Sequence, residues 1–477
     1  MVTIVLDVLS LGLIIPVGAR LILDLVDGGK TTAVVSEGDV LLELRNRDLD
    51  QQIVSLNGER LTAMSKLDNA IRSLNQPGVT QADQDRLSQD IAESRKTILD
   101  RESQLKPVQE KKAKLVRTAA FYIGLFGTTW AFMQFFCSPI MGALSDRFGR
   151  RPILILSAFG LGFDYILLAW APNLAWLFLG RIITGITASS FSTAQAYLAD
   201  VTKPEDRSAA FGMFGAAFGL GFVLGPAMGG WLSDFDLRLP FKVAAFLTLS
   251  NAMYGFFVLP ESLPKEKRSS FRWARANPLG SLQLLRSTTG LLPMAMTLFL
   301  YQLAHQVFQN VFILYTLNRF QWSGAMQGGT LASVGILNFI VQGGLIRPAV
   351  KRFGERVLIF VGLSGGILGF LAYSIASTGT MFFASTIIFA LMGFFSASIQ
   401  GVMSKKLDPG QQGQLSGANS SLNGISGMIG PFLFTQVYSW TIDPNVPNAW
   451  QGAPFALAAA ILGLSLVIAF IYVPKKS

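Results

Sequence analysis

Runs of apolar residues alternate with short polar breaks along most of the chain, beginning near Val2, Val116, Pro152, Leu174, Ser208, Phe241, Thr289, Gln327, Arg356, Met381, Gln412 and Pro454. Each run is about 20 residues long, enough for a helix to cross a hydrocarbon core ~30 Å thick. The pattern therefore predicts an all-α membrane protein with twelve transmembrane helices. One stretch, from about Val34 to Lys114, departs from it. There Leu49, Ile53, Leu56, Ala63, Leu67, Ala70 and Leu74 follow a 3-4 spacing, as do Leu87, Ile91, Ile98, Leu105 and Val108, with charges between. Asn75-Gln76-Pro77-Gly78 interrupts the two series, and Thr80 with Asp83 resembles a capping box. The expectation is a coiled-coil-like antiparallel hairpin of two helices, roughly 50 Å long at 1.5 Å per residue. Arg60 and Lys112 fall on its seam.

A second regularity divides the chain in two. The basic turn at Asp146 to Arg151 returns at Lys351 to Arg356, 205 positions later, and the same offset relates Pro204 to Pro409 and Gly225-Pro226 to Gly430-Pro431. Shared spacing across three landmarks points to a duplicated membrane unit, hence two pseudo-symmetric six-helix halves. The expected segments are a first transmembrane helix at 1–27, the inserted hairpin at 34–114, the rest of the N-terminal half at 115–260, a central loop at 261–288 and the C-terminal half at 289–477. The copies differ in charge, with Lys351 in place of Asp146 and Glu355 in place of Arg150.

Composition agrees with lipid as the main solvent: 51% of residues are hydrophobic and 14% are charged. The net charge of +10 does not indicate nucleic acid, because the basic residues gather in loops that alternate with almost uncharged ones. Loops 145–152, 203–207, 261–286, 347–356 and 404–406, with Lys475-Lys476, are basic and so expected on the cytoplasmic side. Both termini would then be cytoplasmic, in a cell (inner) membrane, with the hairpin extracytoplasmic and the central loop inside. The single cysteine, Cys137, excludes an intramolecular disulfide and is expected to serve packing. No basic segment precedes the first apolar run, so that span is expected to stay in the mature protein.

An ionisable residue inside a span costs about 2.5 to 3.5 kcal/mol on insertion scales, so each one is a functional candidate. Asp7, Asp164, Arg181 and His305 are the candidates for proton coupling or substrate contact. An acid whose exposure and pairing alternate can load and release a proton. Arg181 keeps its charge and can only hold such an acid or an anion. His305 lies on a polar stripe with Gln302, Gln306 and Gln309. Gln134, Asn338, Gln342, Asn419 and Asn423 complete a set of polar residues expected to line a cavity. At the basic turn, Gly142, Asp146, Arg147, Gly149, Arg150 and Arg151, with Asp200 as partner for Arg150, are read as a gate whose ion pair forms in one state and breaks in another. Gly221, Gly225 and Gly229 at four-residue spacing, with Pro226, form a groove for another helix and a pivot.

Together these residues resemble the major facilitator superfamily. GALSDRFGRR is similar to its loop between the second and third spans, RIITG to its fourth-span motif, and GFVLGPAMGG to the fifth-span motif associated with antiporters. DVLSLGLIIPV, MQFFCSPIMGALSDRFGRRP, GRIITGITASS, AYLAD, LPES and QGQLSG bring the resemblance closer to the tetracycline efflux type of drug/proton antiporter. The resemblance implies two six-helix halves around a central cavity, rocking between inward- and outward-open states. It also implies a cytoplasmic gate that includes Asp146 and Arg150, and functional acids at Asp7 and Asp164. The chain departs from that group at Asn338, where a His is expected, at Gly365, where an Asp is expected, and in the inserted hairpin.

The leading expectation is proton-coupled export of small amphipathic or drug-like molecules. The alternatives are an uncoupled facilitator or metabolite importer, and a receptor or scaffold whose hairpin binds an extracytoplasmic protein. No metal cluster, nucleophile-base pairing or phosphate loop suggests an enzyme, and no cofactor is implied. The expected partners are lipid, protons and a small-molecule substrate.

Overall fold

A computed structural model describes residues 2–26, 38–76, 79–188, 191–203, 207–268, 277–278, 280–287, 290–407, 412–443, 446 and 450–473. Val34, Pro77, Gly78, Pro204, Thr289, Pro409, Lys475 and Lys476, named above, lie outside the described residues. The described chain is helical, with no strand. Its α-helices are α1 (Val2–Val26), α2 (Gly38–Leu74), α3 (Gln81–Phe148), α4 (Arg150–Ala169), α5 (Leu174–Thr187), α6 (Phe191–Val201), α7 (Arg207–Ser233) and α8 (Leu239–Val258). After the central segment come α9 (Gln283–Ser287), α10 (Leu291–Phe320), α11 (Gly324–Phe339), α12 (Ile346–Ile375), α13 (Gly379–Ala390), α14 (Gly393–Ser404), α15 (Gln412–Thr441) and α16 (Ala453–Tyr472). Eight helical runs among the described residues are long and apolar enough to cross a membrane. One of them, Gly324–Ile375, contains two helices joined by a kink at Gly354.

The contacts divide the chain into two compact units, one of 1–29, 119–441 and 450–477, the other of 30–118 and 442–449. In the second unit α2 lies against the start of α3. Leu49, Ala63 and Ala70 of α2 and Leu105 of α3 are buried. Arg60 bonds Glu102 at 3.2 Å and Arg101 bonds Glu59 at 2.6 Å, so the seam charge at Arg60 is matched by the facing helix. The Asp83 N–H donates to Thr80 Oγ1 at 3.3 Å, which starts α3 at the predicted cap. The expected hairpin helix and the second apolar span are not separate elements. They form one 68-residue helix, which runs on through Pro107 with no glycine between Gln104 and Lys114 to end it.

The duplication is visible in the backbone. Gly149 (φ 108°) and Gly354 (φ 79°), 205 positions apart, both take a left-handed conformation that a side chain would resist. Pro226 and Pro431 stand inside α7 and α15 at the same offset. In the first unit, the small residues of α7 admit α1 at backbone contact. A Cβ on Gly12 would lie 2.7 Å from the Gly221 carbonyl oxygen and 2.9 Å from Gly225 Cα. Gly229 likewise meets Leu13. On another side of α7, a Cβ on Gly230 would lie 3.0 Å from Gly328 Cα of α11. The groove predicted at Gly221, Gly225 and Gly229 is thus filled by α1, while Gly230 and Pro226 take α11.

Gly225→Val should therefore destabilise the fold by on the order of 3 kcal/mol, since the methyls would meet backbone that cannot yield. Gly329→Val, at a site with nothing within 4 Å, should be neutral. Thermal unfolding of the purified protein in detergent checks the difference.

Candidate functional site

Four helices bring acids together in the N-terminal half. Asp164 on α4 is 1% exposed and touches the Thr184 hydroxyl of α5. Its Oδ1 has no hydrogen-bond partner among the described residues. A Cβ on Gly180 would lie 2.9 Å from that oxygen, so bare backbone makes room for it. Arg181, one residue on, interacts electrostatically with both Asp164 and the adjacent Tyr165. Its Nη2 lies 3.8 Å from where a Cβ on Gly18 of α1 would stand. Asp7 of α1 accepts a hydrogen bond from Asn251 Nδ2 of α8 at 2.8 Å, and its charge also reaches Tyr165. Asp7, Asp164 and Arg181 are therefore brought together, along with Tyr165, Thr184 and Asn251, which sequence reasoning missed. Thr184 stands three residues after Arg181, a spacing that could have flagged it.

The Thr184 hydroxyl also lies 2.9 Å from the Gly180 carbonyl. A hydroxyl has one hydrogen to donate and two lone pairs to accept with. Both contacts are hydrogen bonds when Asp164 carries a proton and donates it to Thr184. When Asp164 is ionised, Thr184 must turn away from Gly180 to serve it. The arrangement can thus accept either form of the acid by one hydroxyl rotation.

His305 and its neighbours lie in the C-terminal half. The His305 ring runs nearly parallel to Tyr301 and Phe389, with centroids 6.3 and 6.1 Å away, and its Nδ1 has no partner among the described residues. Gln302 is half-buried with Oε1 unpartnered, whereas Gln309 is exposed. Gln306 accepts from Asn310 at 3.3 Å and packs against Gly430 of α15. The predicted stripe is therefore shared between an aromatic stack, a helix contact and an exposed position. Asn338 lies against Gly393 of α14, and the following residues, Ile340–Leu345, form a π-helical turn that leaves Gln342 exposed. Such turns often mark functional positions. Asn419 is half-buried with Oδ1 unpartnered, Asn423 is exposed, and Gln134 is half-buried on α3 beside Gly185 of α5. Gly365, where the tetracycline group would carry an Asp, faces the Leu391 side chain so closely that no side chain fits.

At the basic turn Arg150 is the hub. Its guanidinium meets Asp146 at 2.6 Å and Asp200 at 3.2 Å, and donates to Ser145 Oγ at 2.6 Å. Its backbone N–H donates to Glu261 Oε1 at 2.9 Å. Ser262 Oγ donates to Asp200 at 3.2 Å. Arg151 donates to the Phe256 carbonyl at 2.5 Å, and Arg147 lies over the Phe148 ring. Glu261, Ser262 and Ser145 were not among the predicted residues. Gly142, named with the gate, has nothing within 4 Å of where a Cβ would stand. The duplicated half keeps the ion pair with its polarity reversed: Glu355 meets Lys405 at 2.8 Å, each residue 205 positions after Arg150 and Asp200.

The opposite end of the bundle carries charges that the sequence reading overlooked. Arg20 and Asp24 of α1 are both buried, so the set of ionisable residues in the spans is larger than expected. Arg20 donates to the Trp322 carbonyl at 2.9 Å and to Gln327 Oε1 at 3.1 Å, and meets Asp234 at 3.5 Å. Asp234 accepts from the backbone N–H groups of Gly324 and Ala325 at 2.8 and 2.9 Å, the free donors at the start of α11. Two residues before the central segment thus hold the first turn of a helix after it. On another side of the bundle, Thr128 Oγ1 of α3 donates to the Met428 carbonyl of α15 at 2.9 Å.

The geometry agrees with what comparison with known proteins shows. The Major Facilitator Superfamily profile matches residues 113–431 and 350–477. The chain is 37% identical over 342 residues to the tetracycline resistance protein, class C, of Escherichia coli, covering 72% of this chain and 85% of that one. It is 31% identical over 356 residues to the class B protein of the same organism, covering 74% and 86%. Among solved structures, the human organic anion transporter MFSD10 (TETRAN) matches with a TM-score of 0.61 at 22% identity, covering 98% of this chain and 97% of that one. A D-xylose-proton symporter matches with a TM-score of 0.62 at 17% identity over 76% of this chain and 89% of that one. On the residues matched and the fold shared, the chain belongs to the Major Facilitator Superfamily of transporters.

Proposed function

We propose that the protein is a proton-coupled exporter of small amphipathic, drug-like molecules, working by alternating access. The observation that carries this reading is the Asp164–Thr184–Gly180 arrangement, which suits a carboxyl that changes protonation state inside an apolar bundle. Asp7, Arg181 and Tyr165 beside it supply the charges that would couple proton and substrate. The substrate class follows the drug named in the bacterial relatives. The fit is to the class and not to tetracycline itself, because Asn338 and Gly365 replace ionisable residues of that group.

The topology proposed is twelve spans in two six-helix halves, with the basic turns, the central segment and both termini on the cytoplasmic side of the cell membrane and the hairpin outside. In that frame the contacts of Arg20, Asp234 and Gln327 close the outer end. The Arg150–Asp200 and Glu355–Lys405 pairs stay within their own halves and would rearrange when the inner end closes. The close α1–α7 contact acts as the pivot. Lining of the cavity falls to His305, Gln302, Asn419 and the π-helical turn. A second reading, uncoupled facilitation, draws on the stacking of His305 with Tyr301 and Phe389, which suits a neutral, packed imidazole better than a proton carrier.

In proteoliposomes, substrate-dependent proton release should fall at least tenfold in Asp164→Asn, a loss of about 1.4 kcal/mol or more in coupling. Unchanged coupling would remove Asp164 from the mechanism, and transport indifferent to an imposed pH gradient in the unmodified protein would favour the facilitator. Arg20→Ala should loosen the outer closure by about tenfold, the effect of losing hydrogen bonds to a charged group. The check is labelling of Thr330→Cys, introduced at a buried site, by a membrane-impermeant maleimide added outside, in a Cys137→Ser background.

A further inference from the structure

The duplication preserved something at the basic end that the ion pairs do not use. Positions 146 to 151 read Asp-Arg-Phe-Gly-Arg-Arg, and positions 351 to 356 read Lys-Arg-Phe-Gly-Glu-Arg. The two positions that differ hold Asp146 and Arg150 in the first copy, and these pair with each other. The residues that recur are Arg147 as Arg352, Phe148 as Phe353, Arg151 as Arg356, and the left-handed glycine between them. The glycine serves the turn. A topology signal accounts for the arginines only as positive charge, which lysine supplies equally, and it does not account for the phenylalanines.

The recurring side chains share one geometry. Arg147 lies over the Phe148 ring at 5.0 Å, and Arg352 over the Phe353 ring at 5.4 Å. Arg151 lies over Phe256 of α8 at 5.9 Å, and Arg356 over Phe360 of α12 at 5.6 Å. Phe148 and Phe353 are 50% and 55% exposed, so each ring offers apolar surface beside a guanidinium. The acids around the turns are engaged elsewhere: Asp146 and Asp200 with Arg150, Glu261 with the Arg150 N–H and Arg268, and Glu355 with Lys405. Among the described residues none of the four arginines has a carboxylate partner, and Arg151 Nε has no partner at all. A guanidinium lying on a ring keeps its in-plane N–H donors free, and that fork fits the oxygens of a phosphate. A soluble phosphate has no use for the exposed rings, whereas a phospholipid joins its phosphate to acyl chains. Phe148 ends α3 and Phe353 precedes the kink of α12, the level at which headgroups meet hydrocarbon in a bilayer. We infer that each basic turn binds one anionic phospholipid, its phosphate held by Arg147 and Arg151, or by Arg352 and Arg356, and its chains against Phe148 or Phe353. A zwitterionic lipid is disfavoured because its ammonium group meets the same positive charges. The sites require a bilayer and not the proposed proton coupling.

The test uses the full chain purified in mild detergent, with dioleoylphosphatidylglycerol and dioleoylphosphatidylcholine as probes in native mass spectrometry. Two molecules of the anionic lipid should be retained per chain, each at least tenfold more tightly than phosphatidylcholine. Arg147→Lys with Arg151→Lys should weaken one of them at least fivefold, and Arg352→Lys with Arg356→Lys the other, since lysine keeps the charge and lacks the planar fork. Lys265→Gln, which removes an exposed charge elsewhere at this end, should change neither. Equal retention of the two lipids would overturn the inference, and so would unchanged retention by the chain with all four lysines, which reports net charge alone. Thermal unfolding without lipid identifies any variant that fails to fold. Phe148→Leu with Phe353→Leu then tests the same sites with every arginine in place: retention should fall at least threefold, and unchanged retention would contradict the assignment. Displacement of the lipid by an excess of glycerol phosphate would mark a site for soluble phosphate and would also overturn it.

Discussion

A charge buried among apolar helices survives only with a partner on another helix, and that constraint organises this molecule. Asp164 sits against Thr184 and beside Arg181, Asp7 is held by Asn251, and Arg20 is held by Trp322 and Gln327. Each of these contacts joins different helices, so the polar residues fix which helices meet. They leave the apolar remainder free to pack by shape. The small residues of α7 then set how closely α1 and α11 approach it, and through α7 the N-terminal half touches the first turn of α11.

The two halves share a backbone and divide the chemistry. Left-handed glycines at 149 and 354, and prolines at 226 and 431, recur at one offset because each unit needs the same turn and the same interrupted helix. The side chains diverged around that frame. Acids and arginine cluster in the first half, while the second offers aromatic rings and amides around His305. The ion pair at the basic end survived the divergence with its sign inverted, Arg150–Asp200 against Glu355–Lys405. A site that keeps a pair but not its polarity is being held for attraction between helices, not for one charge in one place.

Much of this was legible in the sequence because lipid imposes a simple rule on helix length and loop charge. The capping residue of α3 and the small-residue groove of α7 were read from spacing, and the Arg150–Asp200 pair from the place of both residues at the basic end of their spans. The unbroken α3 was not, since two different amphipathic patterns meet in it around Pro107, a residue that reads as a helix end and that this helix runs through. Arg20 escaped notice because it stands near the end of an apolar run, where an arginine normally reaches water; its partners, Trp322 and Gln327, are about 300 residues away. Thr184 and Asn251 are common enough in spans to carry no signal until the fold sets them beside an acid. Lys405 became meaningful only beside Glu355, since a reversed pair does not match its counterpart residue by residue.

The central claim, that a buried carboxyl exchanges a proton as substrate binds, is tested most directly on the purified protein at equilibrium. In weakly buffered detergent solution with a pH indicator, addition of a bound drug-like substrate should displace protons into the medium, and the signal should be absent from Asp164→Asn protein that still binds the compound. Binding with no proton displaced at any pH between about 5 and 8, the range in which a transporter's acids must work, would contradict the account.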